Sequence, residues 1–75
     1  MTQKQQKAYN EALMEIEACL RGKETALDLS GLGLTRLPPE IGQLTALTRL
    51  NLGGNQLSTL PTEIGQLTAL TSLYL

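Results

Sequence analysis

The feature that most restricts this chain is its similarity to itself. Sliding the sequence by 23 residues sets residues 27–52 against residues 50–75, and 17 of the 26 pairs are identical. The longest shared run, Glu40-Ile41-Gly42-Gln43-Leu44-Thr45-Ala46-Leu47-Thr48, returns as Glu63-Ile64-Gly65-Gln66-Leu67-Thr68-Ala69-Leu70-Thr71. A period of this length implies a repeat architecture. One unit cannot bury its own apolar face, so neighbouring units stack and share a core.

One complete unit runs from residue 44 to residue 66, and each of its spacings has a physical reason. Leu47, Leu50, Leu52, Asn55 and Leu57 form the pattern L-x-x-L-x-L-x-x-N-x-L. Alternation has period two in a strand, so Leu50 and Leu52 point inward while Asn51 points out. Gly53-Gly54 then supply backbone angles closed to other residues, and the chain turns. Asn55 comes next and is expected to turn inward, bonding backbone groups of the bend and of the next repeat. Pro61 fixes the return, and Thr62-Glu63-Ile64-Gly65 is long enough for about one helical turn. Leu47, Leu50, Leu52 and Asn55 are therefore the expected structural residues.

The first unit departs from this pattern. Leu32 stands in place of the asparagine, and Glu24 stands where Leu47 and Leu70 stand. Terminal repeats are commonly atypical because one face meets no other repeat. The expected organisation is a capping segment at 1–22 followed by repeats at 23–75. These divide into an edge repeat at 23–43, a full repeat at 44–66 and a truncated repeat at 67–75.

Residues 2–21 read as one amphipathic helix. Tyr9, Leu13, Ile16 and Leu20, with Ala12 and Cys19 beside them, recur at helical spacing, and Lys7, Glu11, Glu15 and Glu17 lie largely opposite. Thr2 with Gln5 fits a capping box, and Gly22 fits a helix stop. The helix is expected to cover the open end of the core, shielding Leu27, Leu29, Leu34 and Leu37, with Leu32 packing against it. At the other end, Leu67, Leu70, Leu73 and Leu75 are expected to face nothing. Two explanations fit that expectation: a fragment of a longer chain, or homo-association through the open C-terminal edge.

Composition narrows the function classes. The net charge is −1, and the six basic residues are scattered among seven acids, so no basic stripe marks a nucleic-acid partner. No apolar run is long enough to span a membrane, and the acidic polar face of the helix does not suit a membrane surface. The first residues lead into no apolar stretch of the kind that directs secretion. Cys19 stands alone, so no internal disulfide forms, which favours a reducing, cytoplasmic setting. On the apolar side of the helix Cys19 reads as a small buried hydrophobe rather than a reactive thiol.

No catalytic, cofactor or metal residue is expected. The chain has no histidine and one cysteine, which leaves no zinc set and no Cys–His nucleophile. Gly22-Lys23 is followed by Glu24, and Glu17 stands where a phosphate loop needs its first glycine. Gly31-Leu32-Gly33 has Arg36 where a third glycine would be and reads as a bend. Glu40 and Glu63 share one repeat position and are expected to form a solvated row rather than to converge across a cleft. The chain is therefore read as a non-enzyme.

What remains is the outward side of the strands, expected to be concave. Ala26, Asp28 and Ser30 occupy it in the first unit, Arg49, Asn51 and Gly53 in the second, and Ser72 and Tyr74 in the third. Asp28, Ser30, Arg49, Asn51, Ser72 and Tyr74 are the candidate binding residues. The central column Asp28, Asn51, Tyr74 varies while the leucines around it do not. Three short strands about 4.8 Å apart offer roughly 200 Å², well below the ~800 Å² per partner of a standard protein interface.

The quoted residues resemble intracellular leucine-rich-repeat proteins, over residues 26–75. The likeness extends to bacterial chains in which a short helix and Leu27-Asp28-Leu29-Ser30-Gly31 lead into LPPEIGQL-type units. The helix resembles the lead-in of bacterial Roco proteins, and the repeats are similar to those of plant intracellular Ras-group-related repeat proteins. The resemblance implies an α/β fold, a right-handed leucine-rich-repeat solenoid of short parallel strands and convex helical turns with an N-terminal capping helix. It further implies a cytoplasmic protein–protein interaction module that binds a protein partner, with no nucleic acid and no membrane. No GTPase motif occurs within these residues, so GTP binding is not carried over.

Overall fold

The structure, a computed structural model, describes residues 2–75. Met1, with which the expected capping segment begins, lies outside the described residues. The helix α1 spans Gln3–Gly22, and three short strands follow: β1 (Ala26–Asp28), β2 (Arg49–Asn51) and β3 (Ser72–Tyr74). Between them lie two 3-10 turns, η1 (Pro39–Gln43) and η2 (Thr62–Gln66). The strands pair in parallel in the order β1-β2-β3. Their register follows the sequence period, since Leu27 pairs with Leu50 and Leu50 with Leu73. The result is an α/β arrangement of a helix and short parallel strands.

Thr2 caps α1 as its sequence predicts. Its side chain accepts from Gln5 N at 3.1 Å, and Gln5 Oε1 accepts from Thr2 N at 3.0 Å. The other end differs from expectation. Gly22 is still helical, and Lys23 takes the left-handed conformation at φ 52° and ψ 39°. Lys23 N donates to Leu20 O and Glu24 N to Cys19 O, the paired bonds that close a helix through a left-handed residue. Glycine suits that position because it has no Cβ, yet here a lysine fills it.

The stripe of α1 that faces the core is also displaced from the expected one. Ala8, Ala12, Ile16 and Cys19 are buried, while Tyr9 and Leu13 are half-buried and Leu20 is 41% exposed. Two alanines at the centre of the contact let the helix backbone approach β1 and η1, the elements it touches. Leu20 is too far round the helix to follow them inward. Arg36 stands over the Tyr9 ring, 5.6 Å from its centroid, and ties the outer flank of the helix to the edge unit.

Behind the strands runs one continuous core. Leu27, Leu29, Leu34 and Leu37 of the edge unit join Leu44, Leu47, Leu50 and Leu52 of the full unit, with the helix residues closing one end. Leu32 packs against this cluster in place of an asparagine. Leu67 belongs to the core at 5% exposure, contrary to the expectation that it would face nothing. It is enclosed because η2 stacks on η1 and carries the start of the third unit with it. Leu70 is half-buried, and the apolar exposure expected at this edge is confined to Leu73 and Leu75.

Candidate functional site

The outward side of the three strands is set by their register. Ala26, Arg49 and Ser72 form one row across the sheet, and Asp28, Asn51 and Tyr74 form the next. Leu27, Leu50 and Leu73 lie between these rows and point to the other face, as a period of two requires. The sheet therefore brings five of the six candidate residues into two adjacent rows with Asp28 and Asn51 side by side, while Ser30 follows just beyond β1. Asp28, Ser30 and Arg49 are exposed, Asn51 and Ser72 are half-buried, and Tyr74 is 54% exposed.

Two of these side chains also brace their own backbone, a role the sequence reading did not assign. Asp28 Oδ1 accepts from Ser30 N at 2.9 Å and from Ser30 Oγ at 2.6 Å. One unit later Asn51 Oδ1 accepts from Gly53 N at 2.9 Å. The shared signal was a short acceptor residue at the last strand position, which bonds the amide two residues on. The Ser30 hydroxyl and then the Ser30 amide hold the Asp28 carboxyl below the usual carboxylate range, slightly opposed by desolvation. Asp28 thus presents a fixed negative charge to whatever lies over the strands.

The bends are held by Asn55. Its Oδ1 accepts from Leu32 N at 3.1 Å and Leu34 N at 3.0 Å, and its Nδ2 donates to Leu29 O and Leu52 O, each at 2.9 Å. Asn55 therefore serves its own bend and the preceding unit, whereas the spacing had pointed to the next one. Gly54 and its equivalent Gly31 turn the chain with φ of 69° and 67°, so one glycine of the Gly53-Gly54 pair carries the left-handed angle. A second ladder, missed in the sequence, runs where each unit enters its strand. Thr48 Oγ1 donates to Thr25 O and Thr71 Oγ1 to Thr48 O, both at 3.1 Å. Its signal was a threonine recurring at residues 25, 48 and 71.

These features decide the family. A family description of leucine-rich repeats matches residues 25–75, two thirds of the chain. The chain belongs to the leucine-rich-repeat family. Comparison of this leucine-rich-repeat chain with curated proteins and with solved structures returned no match.

Other groups of the leucine-rich-repeat chain take no part in this surface. Cys19 is buried, its Sγ donates to Glu24 O at 3.6 Å, and burial followed by the Glu24 charge pushes its thiol pKa up. Glu40 and Glu63 lie at equivalent positions of the stacked turns η1 and η2, where they are less open to solvent than the row expected of them. Both are half-buried, and Glu40 Oε1 is enclosed without a hydrogen-bond partner among the described residues. The 3-10 turns pack against each other, and that packing covers what a solitary turn would leave in solvent. Among the described residues no three His, Cys, Asp or Glu side chains gather as metal ligands would. No helix of the described residues is long and apolar enough to cross a membrane.

Proposed function

We propose that this chain is a protein–protein recognition module whose strand face contacts the partner. Leucine-rich-repeat domains generally mediate protein–protein interaction, and the finer assignment to this face is our reading. The observation that carries it is the row Asp28, Asn51, Tyr74. These three side chains differ in charge, hydrogen bonding and size on a leucine scaffold that repeats. Ordered strands fix their spacing, so a partner meets a carboxylate, a carboxamide and an aromatic ring at set intervals. Arg49, Ser30 and Ser72 flank the row and add one cation and two hydroxyls.

The module is read as part of a cytoplasmic right-handed solenoid of the kind found before the GTPase domain of Roco-type proteins. The single buried cysteine supports a reducing compartment. The reading gives the chain no catalytic residue, cofactor or metal. The sequence has no histidine and its one thiol is buried, so the strand face carries neither an imidazole nor a thiol.

Site-specific photo-crosslinking tests the proposal. A photoreactive residue placed at Asn51 should trap a discrete protein from a lysate of the source cells, and Tyr74→Ala should abolish the adduct. The same probe at exposed Glu17, on the helix, should trap nothing. Equal labelling from both positions, or no adduct from Asn51, sinks the strand-face assignment.

A further inference from the structure

The strand face does not stop at β1. Asp28 lines a groove of about 220 Å³ together with Leu32 and three residues of α1, Glu11, Met14 and Glu15. Glu11 and Glu15 stand four residues apart and share one face of the helix, with Met14 beside them. All three are exposed, and Met14, at 68%, is a large apolar side chain that the core does not use. The groove thus joins two apolar residues, Met14 and Leu32, to three carboxylates from two elements, and no Lys or Arg lines it. Like charges four residues apart weaken a helix, so Glu11 and Glu15 do not serve α1 itself.

We propose that this groove receives a long basic side chain, an arginine above all, from the protein that meets the strand face. The inference rests on the strand-face reading for its partner and adds the chemistry of one contact. The methylene stem of an arginine would lie along Met14 and Leu32, as long cationic side chains do on apolar surface. Its planar guanidinium carries donors enough to serve α1 carboxylates on one side and Asp28 on the other. Both Ser30 bonds fall on Asp28 Oδ1, which orients the carboxylate and leaves Oδ2 for the incoming cation. A bare metal ion does not suit the groove, since among the described residues no three such side chains gather closely enough to ligate one. An apolar side chain would cover Met14 but desolvate the carboxylates without compensation.

The test uses the full chain, ¹⁵N-labelled, and the peptide Gly-Arg-Gly blocked at both ends. Its control carries citrulline, which keeps the stem and replaces the guanidinium by a neutral urea. The arginine peptide should shift the amide signals of Met14, Glu15 and Leu32 and bind about tenfold or more tighter than the control. Glu11→Gln together with Glu15→Gln should bring it down to the control's affinity with no loss of helical circular dichroism. Equal affinity of the two peptides for the parent chain would overturn the proposal, as would an arginine peptide that moves no groove signal at millimolar concentration. Shifts as large at Glu17 and Glu63 as at Glu15 would show diffuse ion pairing and overturn it equally. The peptide result does not depend on the adduct at Asn51. A groove that prefers arginine, with no adduct from Asn51, would sink the strand-face reading and leave the groove's chemistry standing. An adduct from Asn51 with no preference for arginine would sink this proposal alone.

Discussion

The side chain of Asn55 accepts the backbone N–H of Leu32, the residue that holds Asn55's own place one unit earlier. One asparagine thus serves two bends, because its bonds reach Leu29, Leu32 and Leu34 as well as Leu52 and Gly53. Asn55→Ala leaves those buried or half-buried groups unpaired and should cost about 1–3 kcal/mol. Leu50→Ala, at a fully buried position, should cost about 2–5 kcal/mol. Urea denaturation followed by circular dichroism measures both. Two unchanged midpoints would mean that neither side chain faces the core.

The two glycines at equivalent positions of η1 and η2 should behave differently. A Cβ on Gly42 would meet the Gln66 side chain and lie 3.0 Å from Glu63 Cβ, whereas one on Gly65 would meet nothing within 4 Å. Gly42→Ala should therefore destabilise by about 1–3 kcal/mol, through forced displacement of the turn stacked on it. Gly65→Ala should stay within about 0.5 kcal/mol of the parent. Paired melts of the two variants decide the matter, and equal losses would refute the stacking of η2 on η1.

At the end of α1, Lys23→Gly should raise stability. The left-handed conformation costs a residue with a Cβ about 1–2 kcal/mol, and glycine avoids most of that cost. Part of the gain is lost to the greater freedom of glycine in the unfolded chain and to removal of a cation near the helix C-terminus. A net gain of about 0.5 kcal/mol is expected, read as a higher Tm. A lower Tm would show that Lys23 is not held left-handed in solution.

The Asp28–Ser30 brace makes a pH-dependent prediction. The carboxyl is held below its usual value in the folded chain, so the unfolded chain binds its proton at higher pH than the folded chain does. The resulting stability is fully present above the unfolded aspartate pKa of about 3.9 and is lost as pH falls through the lowered folded value. Ser30→Ala removes the hydroxyl that contributes most and should move the Asp28 titration upward. Carbon-detected NMR titration of the Asp28 carboxyl measures this, and an unmoved midpoint in Ser30→Ala would contradict the brace.

Cys19 should resist alkylation while the chain is folded. The thiolate is the reactive form, and burial together with Glu24 disfavours it. Reaction with iodoacetamide at neutral pH should be slow in buffer and fast in urea. Equal rates would place the thiol in solvent.

Much of this architecture was legible before any coordinates. The 23-residue period marks out the register, because side chains repeating at one spacing pair across parallel strands, as Leu27, Leu50 and Leu73 do. Two-residue alternation separates Asp28, Asn51 and Tyr74 from the leucines, and Thr2 with Gln5 marks the start of the helix. These are local properties, set within a strand or a helical turn. Which partner each group meets is a long-range property, and it escaped the pattern. Asn55 reaches backward rather than forward, Leu67 is enclosed by stacked turns, and α1 seats its alanines in place of Leu20. A periodic sequence determines which side chains turn inward, since backbone geometry fixes their directions. Only the packed chain decides how closely elements approach and which backbone groups they leave unpaired, because both depend on shape complementarity between segments far apart in sequence.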